Sequence, residues 1–229
     1  MSSYFEISYF KRLSKVNLYL LAIYLGISIT AHVIANRLIL VHGYPVISAG
    51  LIYMMIFVLT DVFTTFNSRK FAIMIIFLES MANLFLVSFT IFINNQPHPD
   101  FFLYAEEYKI VFSPLLILVI ANICGSAIAA LVDVFIFYYL YRVQRWMFFL
   151  ASFLSSIITV TTYTYITDYF GFRNSFPEHV LQITHVNIAS NFITLLIYSF
   201  IGQILVYCIH RYLNSPSIKA HQKMTIESV

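Results

Sequence analysis

The sequence predicts an all-α integral membrane protein of six transmembrane helices with both termini in the cytoplasm. Three observations predict it: an apolar composition, six long apolar runs, and the way Lys and Arg are distributed between them. Of 229 residues, 60% are hydrophobic, 18% aromatic and 10% charged, against roughly 45–50% apolar and about 25% charged in soluble domains. The 13 Lys and Arg with 10 Asp and Glu are too few to clothe a water-soluble chain of this length, so lipid must be much of its solvent. The net charge of +3 is scattered between apolar runs, with no basic tract that tracks phosphates, which speaks against nucleic acid as a partner. Cys124 and Cys208 fall inside apolar runs, where a thiol acts as a small hydrophobe.

A hydrocarbon core of roughly 30 Å asks for about 20 predominantly apolar residues. That template fits at Val16 to Asn36, Pro45 to Phe66, Phe71 to Ile93, Val111 to Tyr141, Met147 to Phe170 and Val180 to His210. The first run has no small-residue cleavage site after it and is expected to remain as a helix. Pro45 and Pro114 suit first turns, and Gly171 and Pro216 suit positions beyond a last turn. The fourth run is long enough to require tilt. Ten Lys and Arg lie before the first run, in the second and fourth loops and after His210, against three (Arg37, Lys109 and Arg173) on the other side. The positive-inside rule then predicts cytoplasmic termini and an external acidic loop at Asn94 to Glu107. Residues 1–213 read as a single six-helix domain, and the polar tail 214–229 is expected to be disordered.

Ionisable groups in a membrane are costly and need a reason. Asp61, Glu79 and Asp133 lie eight or nine residues from Arg69, Lys70 and Arg142, which predicts one carboxylate layer about 12–14 Å above the basic rim. They read as proton-coupling or structural carboxylates. A second polar tier is expected in the outer half: His32 and Asn36 on the first helix, Asn83 on the third, Asn122 and Ser126 on the fourth, Tyr163 on the fifth, and His185, Asn187 and Asn191 on the sixth. Ser152, Ser155, Thr159 and Thr162 are expected to share one face of the fifth helix. Single polar residues of this kind commonly join helices, at about 0.6 kcal/mol on average. Convergence from five helices predicts instead a polar cavity opening outward, with Tyr163 and Tyr165 to stack a planar small-molecule substrate. Asp61-Val62-Phe63 recurs as Asp133-Val134-Phe135, and a duplicated hairpin is one reading of it.

The stretches ITAHVIANRLILVHG, FVLTDVFTTFNSRKFA and GSAIAALVDVFIFYYLYR resemble the queuosine precursor transporter family, also called vitamin-uptake-like. Its anchors here are Thr60-Asp61, Ala127, Asp133-Val134, Phe137 and Arg145-Trp146. The resemblance implies a six-helix protein of the bacterial inner (plasma) membrane, related in fold to the substrate-binding components of energy-coupling-factor transporters. It implies uptake of queuosine precursors or related heterocycles. His32 stands where the family commonly has Asn, and Ala130 where it has Gln. The family's fifth-helix Asp-Thr aligns with an offset to Tyr163-Thr164, and its sixth-helix Lys falls near Ala189 to Asn191, as though a buried ion pair had been lost together.

The expected function is therefore uptake of a small planar or heterocyclic molecule, by the chain alone, as a homo-oligomer, or as the substrate-binding component of a multi-subunit vitamin transporter with an energising complex. An alternative from another class is a non-transporting haem-binding or assembly protein built on His32 and His185. No HExxH, CxxC, GxSxG or Walker pattern occurs, so neither a metal, a cofactor nor an enzymatic activity is expected.

Overall fold

A computed structural model describes residues 2–35, 37–113, 115–174 and 176–215 of the chain. Asn36 and the tail from residue 216 onward lie outside the described residues. The chain forms helices α1 (Ser2–Ile34), α2 (Gly50–Phe66), α3 (Arg69–Asn94), α4 (Ala105–Phe112), α5 (Leu115–Tyr138), α6 (Phe148–Phe172) and α7 (Val180–Leu213), with a two-stranded hairpin of β1 (Leu38–Val41) and β2 (Tyr44–Ile47) between α1 and α2. Five helical segments are long and apolar enough to cross a membrane: Ile7–Ile34, Arg69–Asn94, Val119–Val143, Phe148–Phe172 and Val180–Leu213.

The helices wear their polarity inside out. On α3 the buried positions are Ala72, Ile75, Ile76, Glu79, Ser80, Asn83 and Val87, spaced as one helical face, while Phe77, Phe85, Phe89 and Phe92 are exposed. On α6 the buried stripe carries Ser152, Ser155, Ser156, Thr159, Thr164, Thr167 and Asp168. Lipid tails are as apolar as Leu, so close packing and interhelical hydrogen bonds, rather than apolar burial, hold such a bundle together. Gly202 shows the packing: a Cβ there would lie 2.5 Å from Val58 Cγ1 and 2.8 Å from Phe148 Cε1, so its absence lets α7 seat against α2 and α6.

Three spans differ from the sequence expectation. The second was expected from Pro45, but Pro45 pairs with Leu40 inside the hairpin and α2 begins at Gly50. Between the strands His42 and Gly43 both have positive φ, 51° and 84°, the geometry of a tight hairpin turn whose twist matches that of the strands. Ser48 closes the base, its N–H donating to Arg37 O at 3.0 Å and its hydroxyl to Ile34 O at 2.8 Å. At 17 residues α2 is short for a bilayer, about 25 Å at 1.5 Å per residue. Other elements surround it, and it is buried from Ile56 continuously to Thr65.

The fourth span, expected from Val111, begins as α5 at Leu115, and Val111 and Phe112 instead close a separate helix, α4. The amphipathic α4 is exposed along its length and carries a Lys109–Glu106 ion pair at 3.0 Å. The carboxyl-terminal end of α5 widens into a π turn, Tyr139–Val143, and there Arg142 Nη2 donates to Thr65 O. Arg69 stacks over Tyr138 with its Cζ 4.3 Å from the ring centre. The first helix starts at Ser2 rather than Val16, and Arg12 Nη1 donates to Tyr212 O at 3.0 Å, so the amino-terminal part of α1 and the carboxyl end of α7 share one face of the bundle. The other bounds fall within three residues of expectation.

Candidate functional site

At the opposite end, where α1, α6 and the hairpin finish and α2, α5 and α7 begin, lies a cavity of ≈ 70 Å³. A water needs roughly 10–15 Å³ measured this way, so the space takes a small molecule or the head of a larger one. His32, Tyr53, Asn122, Tyr163, Asp168, Asn187 and Asn191 line it, with Ile47, Met54, Val119 and Phe172 as its apolar walls.

One side of the cavity is a continuous hydrogen-bond chain across five helices. His32 Nδ1 meets Ser28 O, a pure acceptor, at 2.8 Å, and Asn122 Nδ2 meets His32 Nε2 at 2.6 Å. These two contacts define an imidazole that donates from Nδ1 and accepts at Nε2. Asn122 Oδ1 accepts a short bond from Tyr163 OH, and Asn122 Nδ2 reaches Tyr53 OH at 3.4 Å. Tyr53 OH in turn donates to Glu79 Oε1 at 3.4 Å, which also accepts from Ser28 Oγ at 2.6 Å and Asn83 Nδ2 at 3.0 Å. The rings of Tyr53 and Tyr163 stack with centroids 5.8 Å apart and planes 22° apart, and His32 stands edge-on to Tyr53.

The other side is built from two spaced pairs on consecutive helices. Thr164 and Asp168 are one turn apart on α6, Asn187 and Asn191 one turn apart on α7, and the helices run antiparallel. Asn187 Nδ2 donates to Asp168 Oδ2 at 2.9 Å, and Asn191 Nδ2 to Thr164 Oγ1 at 3.0 Å. Each amide spends its donor on α6 and is left with a carbonyl: Asn187 Oδ1 and Asn191 Oδ1 are buried without a partner. Both press on Gly50, where a Cβ would come within 2.7 Å and 3.0 Å of them. No Lys or Arg is among the lining residues, so this wall presents acceptors and one carboxylate.

Of the residues expected from sequence, His32, Asn122, Tyr163, Asn187 and Asn191 meet at the cavity. Asn83 and Ser126 are buried but do not line it; Asn83 supports Glu79 instead. His185 is exposed, edge-on to the ring of Tyr165, itself exposed. Both lie on a flank of their helices away from the cavity, so Tyr165 is no stacking wall and His185 is not brought to His32. Thr162 is likewise exposed and leaves the face of Ser152, Ser155 and Thr159. That face lies at the level of Asp133, which accepts from Thr159 Oγ1 at 3.3 Å, rather than at the cavity. The carboxylate layer divides in the same way: Glu79 belongs to the cavity network, while Asp61 and Asp133 face each other nearer the termini.

Asp168 and Tyr53 are the residues that sequence reasoning missed. Asp168 lies close to the end expected for the fifth span and was not counted as intramembrane, yet it is buried in the cavity wall. The fifth expected span therefore carries a buried acid at the cavity. The legible signal was the matching one-turn spacing of Thr164 with Asp168 and of Asn187 with Asn191.

No curated protein and no solved structure matches the chain. A family model described as "Putative vitamin uptake transporter" matches residues 48–210, from the base of the hairpin through α7. Helices long enough to cross a membrane several times, a polar cavity among them and a family match over most of the chain agree: the chain belongs to this family of membrane-spanning transporters.

Proposed function

We propose that the protein is a bacterial inner-membrane uptake transporter. Its substrate is a small planar heterocycle rich in N–H donors, queuosine precursors or related compounds being the class implied by the resemblance. The observation that carries the reading is the pair of unpartnered oxygens, Asn187 Oδ1 and Asn191 Oδ1, beside Asp168 in the cavity wall. Buried acceptors left open cost free energy unless something donates to them, and an amino-substituted ring would supply donors in the plane that Tyr53 and Tyr163 can stack. A site built on acceptors also rejects an analogue lacking the donors, because its own polar atoms would then stay unpaired.

In this reading the chain crosses six times. The short α2 completes its crossing with the hairpin at its outer end, and both termini are cytoplasmic in keeping with the ten-to-three distribution of Lys and Arg. A cysteine placed at Asp100 is then labelled from outside intact cells by an impermeant reagent and one at Ser217 is not; labelling of both overturns the orientation. For the substrate, equilibrium binding of amino-substituted purine-like rings to purified protein is the test. D168N should weaken it by about 10- to 150-fold, the range for a hydrogen bond involving a charged group, and N191A by about 2- to 13-fold, the range for a neutral one, while the exposed H185A leaves it unchanged. Equal binding by all three variants overturns this assignment of the cavity.

A further inference from the structure

Nearer the end of the bundle that holds both termini, a second polar group takes no part in the cavity. Asp61 of α2 and Asp133 of α5 have 0% exposure and lie within electrostatic reach of each other. Neither carboxyl oxygen of Asp61 has a hydrogen-bond partner. Ser152 of α6 faces it, 0% exposed, and its Oγ closes no hydrogen bond either. Asp133 is held loosely, by Thr159 Oγ1 at 3.3 Å and Ser156 Oγ at 3.5 Å, where a good O–H···O contact spans about 2.5–3.0 Å. The single hydroxyl proton of Thr159 is also contested by Ser155 O at 3.1 Å and Ser156 O at 3.2 Å.

Two buried carboxylates surrounded only by the hydroxyls of Ser152, Ser155, Ser156 and Thr159, with no Lys or Arg partner among the described residues, lack what buried charge requires. The donor set is all oxygen, which suits a hard cation rather than a thiolate- or imidazole-seeking metal. Among the described residues no three His, Cys, Asp or Glu gather as a metal cluster. A monovalent ion balances one carboxylate while the other keeps its proton, and the cost of stripping water from an ion grows with the square of its charge, so a site this buried favours a monovalent ion over a divalent one. We infer that Asp61 and Asp133, with the hydroxyls of Ser152, Ser156 and Thr159, form a sodium-binding site separate from the substrate cavity.

The three helices that carry this site also carry the cavity. Tyr53 lies two turns from Asp61 on α2, Tyr163 one turn from Thr159 on α6, and Asn122 three turns from Asp133 on α5. A cation drawing these helices together orders the cavity wall. Its role as a coupling ion rests on the uptake reading above; the site itself does not.

The test uses purified full-length protein in detergent, without substrate: thermal unfolding in sodium, potassium, calcium or choline chloride, and equilibrium binding of radioactive sodium. Sodium should raise the melting temperature saturably where choline does not. D61N, D133N and S152A should each weaken sodium binding at least tenfold, and T162A should not. S152A removes one hydroxyl only and keeps the test decisive if an aspartate variant fails to fold. No saturable sodium binding, equal binding in S152A and wild type, or stabilisation specific to potassium or calcium each overturns the inference. Sodium binding by a protein that transports nothing retains this site and overturns the uptake reading alone.

Discussion

The two buried polar groups of this bundle are built on opposite plans. Around Glu79 the protein supplies its own donors: Ser28, Asn83 and Tyr53 all point at Oε1, at 2.6, 3.0 and 3.4 Å. Around Asp61 it supplies none that reach hydrogen-bond geometry. Both carboxyls are buried on apolar helices, where ionisable groups are rare, so burial alone does not separate them. Satisfaction does: a carboxyl with three resident donors is part of the scaffold, and one with none is waiting for a partner from outside. The cavity wall mixes the two plans, since Asn187 and Asn191 are anchored by their nitrogens and open at their oxygens.

This contrast can be broken by substitution. Glu79→Ala strands three donors at once and should be the most damaging change, at about 3 kcal/mol or more when each unpaired group costs about 1–3 kcal/mol. Loss of folded protein, or a large drop in melting temperature in detergent, is the expected result, and E79Q should recover most of it by keeping an acceptor in place. Asn122→Ala is next. It unpairs Tyr163 OH and His32 Nε2 and should cost about 1–3 kcal/mol while also weakening substrate binding, because Asn122 is both a tie between helices and a cavity wall. A stable N122A protein with normal binding would show that the chain from His32 to Tyr163 carries no load.

Asp61→Asn, measured without sodium, should change stability by less than about 1 kcal/mol, because the wild-type carboxyl has no protein donor to lose. A collapse as severe as that of Glu79→Ala would erase the difference between the two sites. Smallest of all, Thr162→Ala and His185→Ala should stay within about 0.5 kcal/mol of wild type, as surface changes usually do. These serve as the baseline for the other three.

Most of the helices were legible from hydropathy, because about 20 apolar residues in a row have few other uses. The hairpin was not: Pro45-Val46-Ile47 is as apolar as the helix that follows, and an apolar run does not reveal its own period. The readable mark was His42-Gly43, a dipeptide at which the chain takes positive φ twice. The face on which each carboxylate lies was not legible either. Counting from the basic rim put Asp61, Glu79 and Asp133 at one level, yet a helix can turn a residue at that level toward any neighbour, and Glu79 faces α1 and α2 rather than Asp133. For Asp168, counting from one rim only left the far ends of the helices unexamined. Tyr53 was lost among 17 tyrosines, where composition makes any single one look ordinary.

The enclosure of α2 bears on how the chain is assembled. Its most extensive partner, α7, comes from the far end of the sequence: Tyr198 OH donates to Leu51 O at 2.6 Å, Gly202 makes room for Val58, and Gly50 is flanked by Asn187 and Asn191. Synthesis runs from α1 to α7, so the second helix is made long before the last one exists to cover it. Until then a 17-residue apolar segment carrying Asp61 lacks that cover. A nascent chain arrested before α7 should therefore be degraded or held by a chaperone, and release of α7 is the event that closes the bundle.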